Sequence, residues 1–187
     1  MSATVPAQTS IPSGGEAHAS ADADPQIGLS VDVVHEAGDW PQLDALLVAI
    51  HAAADAVVAE LGVSGCSACI ALSSDAEVAR LNATYRGKQT PTNVLSFAAP
   101  ASDEQIRQIR FLGDIGLAAE TVAREAAEQG VPLVDHLQHL VVHGLLHLQG
   151  YDHQTEAEAE VMEALEVRIL KRLGIADPYA GDELAPS

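Results

Sequence analysis

Along residues 27–35, IGLSVDVVH, apolar and polar positions alternate with the period of a half-buried strand. The period then changes. From Pro41 to Leu61 the apolar residues Leu43, Leu46, Leu47, Ile50, Val57, Val58 and Leu61 fit one face of a helix, and Pro41 suits its first turn. Cys66 to Leu72 predicts a second strand. Ser74 and Glu77 have the spacing of a capping box and open a short helix through Tyr85. RGKQTPTN is a polar loop broken by Gly87 and Pro91, after which VLSFA (94–98), bounded by Pro100, forms a third strand. DIGLA (114–118) predicts a fourth. A helix from about Glu120 ends at Gly130, and the next runs from Pro132 to about Leu148 and stops at Gly150. Thr155 and Glu158 cap a last helix that ends near Gly174.

Strands fall mainly in the first two thirds and long helices at the end. This order predicts one α+β domain over roughly residues 27–176, a small mixed four-stranded sheet packed with about five helices. Residues 1–26, rich in Ser, Ala, Pro and Gly, are expected to be a disordered extension, and 177–187 a loose tail. No internal repeat is visible.

Charge narrows the functional classes. The chain carries 9 basic against 27 acidic residues, a net charge of −18, which argues against general affinity for nucleic acid or anionic membranes. The first 26 residues hold no Lys or Arg and no long apolar run, so they read as neither a secretory signal nor a transit peptide. The most apolar stretch, ALLVAIHAAADAVVA, is interrupted by His51 and Asp55 and is too polar to span a bilayer. A soluble, cytoplasmic protein with no membrane partner is expected. Cys66 and Cys69 form a CxxC, but an offset of three along a strand puts the thiols on opposite faces, and no second CxxC exists to complete a zinc site.

The chemistry concentrates in HGLLHLQGYDH, residues 143–153. His143 and His147, four apart on a helix, place both imidazoles on one face, one turn apart. Gly150 accepts the left-handed conformation that reverses the chain, which can return His153 to the same point. Three neutral imidazoles with a fourth position open is the arrangement of a catalytic zinc, one ion per chain. Imidazoles also accept nickel, copper or iron. His136 and His139 share nearly the same helical face. His139 could hold a ligand or substrate or simply be packed, His136 reads as packed, and Asp135 could do work similar to that of His139. The spacing HxxxHxxGxxH is also that of the metzincin proteases, which need Glu directly after the first His as general base. That position here is Gly144, so peptide hydrolysis loses its proton acceptor.

A second stretch, LNATYRGKQTPTNVLSF (81–97), points to phosphate. Arg86 and Lys88 put two cations on a turn, with Thr90, Thr92 and Ser96 as hydroxyl donors. Guanidinium matches phosphate oxygens bidentately and Lys adds a point charge. Five of the nine basic residues, Arg80, Arg86, Lys88, Arg107 and Arg110, fall within 80–110.

Together, LNATYRGKQTPTNVLSF, LGDIGLA and HGLLHLQGYDH closely resemble the YbeY family of metal-dependent endoribonucleases, over about residues 27–173. The resemblance implies zinc on His143, His147 and His153, and an essential Arg86. It implies single-strand-specific cleavage in 3′-end maturation of the small-subunit (16S) rRNA and in ribosome quality control. The implied partners are single-stranded rRNA and the small ribosomal subunit, with its proteins or assembly GTPases. Residues 1–26 lie outside the resemblance. On so acidic a chain, RNA affinity would be local, through the 80–110 cations, or borrowed from a ribosomal partner. Arg86 is then the catalytic candidate, stabilising charge on the phosphoryl oxygens, and Lys88, Thr92 and Ser96 are the substrate-binding candidates. Asp152 is the nearest carboxylate for proton transfer, or else braces the turn; Asp114 supports the site or ends a strand. Two other functions remain open: a zinc peptidase-like hydrolase, and a non-catalytic ribosome-assembly factor stabilised by metal.

Overall fold

A computed structural model describes residues 28–100 and 109–180. The expected N-terminal extension lies outside these residues. The elements run β1 (Leu29–His35), α1 (Leu43–Leu61), β2 (Cys66–Ser73), α2 (Asp75–Arg86), β3 (Val94–Ala98), β4 (Arg110–Ala118), α3 (Ala119–Gln129), α4 (Leu133–Leu148) and α5 (Glu156–Arg172). The fold is therefore α+β, with the four strands in the order β1-β2-β4-β3. β1, β2 and β4 are parallel, and β3 is antiparallel to β4.

Alternation along β2 decides which face is covered. Cys66, Ala68, Ile70 and Leu72 are buried in the main core, whereas Cys69 and Ala71 face the other side and line a separate cavity. The two thiols thus sit on opposite faces, and both are free. α4 lies at the centre of the core, with Leu137, Val141, Val142, Leu145 and Leu146 fully buried. Burying each such side chain is worth about 1.5–3 kcal/mol, so this helix is the most strongly held element of the site. Gln138 Nε2 also donates to the Ala49 carbonyl of α1 at 3.0 Å.

Several boundaries differ from the sequence reading, each for a local reason. α1 begins at Leu43 rather than Pro41, because Gln42 adopts the left-handed conformation, φ 55°. β4 begins at Arg110, four residues before the expected start. The register slips between Ser67 and Ala68, pairing Phe111 with Ser67 and Gly113 with Ala68. The extra residue, Leu112, breaks the alternation that marks a strand. Ser74 accepts from the Glu77 amide at 3.4 Å as expected, but the Glu77 carboxylate bonds Arg80 instead of closing the box. α2 and α3 cap each other: Glu120 accepts from the Asp75 amide at 2.7 Å, and Asp75 accepts from the Thr121 amide at 2.9 Å. The Thr155–Glu158 box on α5 is complete. The chain beyond α5 folds back, with Ile175 against the core and the Tyr179 hydroxyl donating to Glu166. Of the tail expected over 177–187, residues 181–187 lie outside the described residues, and Tyr179 makes this bond.

Candidate metal centre

The centre is built on the last turns of α4. His143 and His147 stand one turn apart, with ring centroids separated by 4.6 Å. After α4, Gly150 takes φ +93° and reverses the chain, and the Tyr151 amide closes the reversal on the Leu146 carbonyl at 3.1 Å. His153 then returns to 5.5 Å from His143 and 5.0 Å from His147, centroid to centroid. A ligand-capable atom from each of the three lies within 4.8 Å of the others.

Tautomers can be read from the partners. The Tyr151 carbonyl can only accept, so His147 Nδ1, 3.0 Å away, carries the proton. Glu166 accepts from His143 Nδ1 at 2.6 Å. Both Nε2 lone pairs are therefore free, and they face each other at 3.1 Å. Two lone pairs this close repel unless a cation lies between them. A tetrahedral ion with bonds of ~2.0–2.1 Å would hold its nitrogens about 3.3 Å apart, close to the separation found. The donor set thus fits a divalent metal. Burial, then repulsion from His143 and His153, holds His147 below the usual imidazole range, which keeps it neutral as a ligand must be.

Glu166 is the residue that the sequence reading did not identify. It is 0% exposed, yet its carboxylate accepts from His143, from His139 at 3.2 Å, and from the Tyr179 hydroxyl. Burial alone would push this carboxyl up, but the bonds from His139 and His143 outweigh it and hold the group at about 2. A fixed buried anion behind a ligating imidazole orients the ring and raises its basicity. The signal was present in α5, where Met162, Leu165, Ile169 and Leu170 form the buried stripe and Glu166 is a charged residue within it. Glu166→Gln is expected to weaken metal affinity by about 10–100-fold without removing a ligand. Competition against a chelating dye measures this, and unchanged affinity would remove Glu166 from the centre.

The cleft in front of the histidines has a volume of about 570 Å³. Arg86, Thr92, Ser96 and Asp152 line it with His143, His147 and His153. Arg86 is the last residue of α2, and Gly87 ends the helix at φ 69°. Buried Asn82 then pins the following loop through Nδ2 to the Thr90 carbonyl, 2.7 Å. Asn93 Oδ1 accepts from the Val94 amide at 2.7 Å, and its Nδ2 donates to Glu125, which also holds His136 at 3.0 Å. The loop that carries Thr92 is therefore anchored at both ends.

Of the five cations grouped in the sequence, the four among the described residues do not gather at the cleft. Among the described residues, Arg86 is the one Lys or Arg lining the cleft. Lys88 is exposed and does not line it. Arg80 pairs with Glu77 at 2.9 Å, Arg110 bonds Gln149 at 3.4 Å, and Arg107 lies outside the described residues. Ser96 turns its hydroxyl towards the Gly144 carbonyl, 3.5 Å. Asp152 accepts from the His153 amide at 2.8 Å and from Gln154 at 2.6 Å, so it braces the turn while remaining on the cleft wall. The His153 amide holds its carboxyl below the usual range. Asp114 belongs elsewhere: it faces the sheet's other side, with Cys69 and Phe97.

Gly144 is explained by packing. A Cβ there would stand 2.9 Å from Ile115 Cδ1, 3.1 Å from Ile115 Cγ2 and 3.2 Å from Ser96 Oγ. The position that a metzincin fills with its catalytic Glu is where α4 lies directly on the sheet.

The Endoribonuclease YbeY family model matches residues 41–174, a span that contains all three histidines and Arg86. Endoribonuclease YbeY of Parvibaculum lavamentivorans is 49% identical over 162 residues, covering 83% of this chain and 87% of that protein. The Rhodopseudomonas palustris protein of the same name is 51% identical over 160 residues, 81% of this chain and 82% of its own. That of Chelativorans sp. is 49% identical over 153 residues, 81% and 94% respectively. With the motif histidines convergent and the match extending across nearly every element of the fold, the chain belongs to the YbeY family of endoribonucleases.

Proposed function

We propose that this chain is a zinc-dependent, single-strand-specific endoribonuclease that matures the 3′ end of the small-subunit (16S) rRNA and takes part in ribosome quality control in the cytoplasm. The observation that carries this reading is one open cleft bearing three convergent imidazoles on one wall and a guanidinium on another. Zinc suits a set of three neutral imidazoles: His143, His147 and His153 would hold it, and it would supply Lewis acidity towards water and a phosphoryl oxygen.

The chain's own residues do the rest. His143 and His147 hold their rings in one tautomer through Glu166 and the Tyr151 carbonyl. Arg86 neutralises the charge that grows on the phosphoryl oxygens as the phosphodiester is attacked. Thr92 and Ser96 border the cleft and bond the sugar–phosphate chain; Lys88, outside the cleft, meets the strand further along it. Asp152, ionised and hydrogen-bonded within the turn, is the carboxylate available to accept a proton from water. The net charge of −18 opposes long-range attraction of RNA, so delivery depends on the small ribosomal subunit, its proteins or an assembly GTPase.

Purified protein of measured zinc content should cut single-stranded RNA and leave duplex RNA intact. A chelator should stop cleavage and added zinc restore it. Cleavage that persists in protein stripped of metal would end the reading.

A further inference from the structure

A second cavity, of about 550 Å³, adjoins the metal cleft along α4. Asn93 is a wall of both. His139, which lines the second cavity, is one turn before His143, with ring centroids 6.5 Å apart. The two spaces are therefore consecutive stations along one helix, and a strand whose reactive phosphate lies over His143 and His147 carries its neighbouring nucleotide past His139.

The lining decides which part of that nucleotide enters. Among the described residues no Lys or Arg borders this cavity, whereas Asp135 and Asp177 do. A phosphate would be repelled. The remaining surface suits a flat ring: Leu140 and Leu170 give an apolar floor, and the rings of His139 and Tyr179 stand edge to face with centroids 6.0 Å apart. Tyr179 is fixed in place by its hydroxyl bond to Glu166, so this wall is formed before any ligand arrives. Unpaired RNA is recognised in this way, with a base splayed out, stacked on aromatic side chains and hydrogen-bonded at its edge.

Resting on the nuclease reading above, we infer that this cavity is a base-recognition subsite for the nucleotide adjoining the cleavage point, and that it prefers an amino-bearing base to uracil. The Asp135 carboxylate oxygens offer hydrogen-bond acceptors to whatever enters. Cytosine and adenine present exocyclic amino donors where uracil presents an acceptor carbonyl. Uracil would leave the two acceptors facing each other.

The test uses the zinc-loaded full chain and a short single-stranded RNA whose cut position has been mapped. An abasic residue is moved through the strand, and cytosine is exchanged for uracil at each position. Removing the base at one position beside the cut should weaken binding and raise KM by about tenfold, the loss expected for one stacked base, with little effect elsewhere. Ala176→Trp, at the exposed rim of the cavity, should abolish that sensitivity by filling the space. Asp135→Ala should level cytosine against uracil. Wild-type protein that treats abasic and intact strands alike, or variants that keep the wild-type preference, would overturn the subsite while leaving the nuclease reading intact. Cleavage equal in wild type and His147→Ala would instead overturn the nuclease reading. Fluorescence anisotropy with the same strands then still reads the cavity without chemistry, and equal affinities would overturn the subsite as well.

Discussion

Arg86→Ala should leave the metal bound and slow RNA cleavage by roughly 10²–10³-fold, the loss that follows removal of one preorganised donor from a developing oxyanion. The size of the effect rests on how firmly the guanidinium's base is held. α2 is seated by Val78 against Leu95 and Ala118, with Leu81 and Phe97 packed around them. Tyr85, one residue before Arg86, stacks edge-on to Phe97 at 5.2 Å. The helix then ends in the left-handed Gly87, so Arg86 projects from a fixed end rather than from a free loop. Arg86→Lys should recover little, because an ammonium cannot span two phosphoryl oxygens. His147→Ala provides the contrast: it removes a ligand and should lose metal and cleavage together. Rates on a labelled single strand, paired with metal content by atomic emission, separate the two. Arg86→Ala working at the wild-type rate would remove the guanidinium from the chemistry.

The contrast between these two residues parallels what was legible in the sequence. The metal ligands were legible because helix periodicity and a helix-ending glycine are local properties. A spacing of four and a reversal at Gly150 suffice to bring His143, His147 and His153 together. The strands, the caps at Ser74 and Thr155, and the α+β class came from equally local patterns. The start of β4 was hidden because Leu112 is an extra residue that only the partner strand accounts for. Glu166 and Asn82 were hidden for a related reason. Each is a polar residue whose meaning lies in a partner far along the chain or in a loop: Glu166 on α5 serves His143 on α4, and Asn82 secures the Thr90 carbonyl. The cation grouping misled in the opposite direction, since closeness in sequence placed Arg80, Lys88 and Arg110 away from the cleft that Arg86 lines. Asp152, which sequence left between proton transfer and bracing the turn, braces the turn and stands on the cleft wall.

Gly144→Glu would restore the HExxH pattern of a zinc peptidase, and it should cost the fold rather than create a protease. Gly144 is buried, and its missing Cβ points at Ile115, itself 0% exposed, and at Ser96. The first carbon alone would need Ile115 to yield by a few tenths of an ångström, so Gly144→Ala should stay within about 1 kcal/mol of wild type, the strain offset by alanine's helix preference. Glutamate adds two methylenes and a carboxylate in the same direction. Overpacking of ~1–3 kcal/mol then combines with several more for an unpaired buried carboxyl. Against a total stability of about 5–15 kcal/mol, that should lower Tm by more than ~10 °C or leave the protein insoluble. Thermal melts of the glycine, alanine and glutamate forms measure the series, and a fluorogenic peptide assay checks for new hydrolysis. A Gly144→Glu protein that melts like wild type would show that α4 can lift from the sheet, and one that also cleaves peptide would revive the peptidase reading. The close seat of α4 on β3 and β4 argues for neither outcome: the helix that aims His143 and His147 into the cleft does so by coming too near the sheet to carry a protease's base between them.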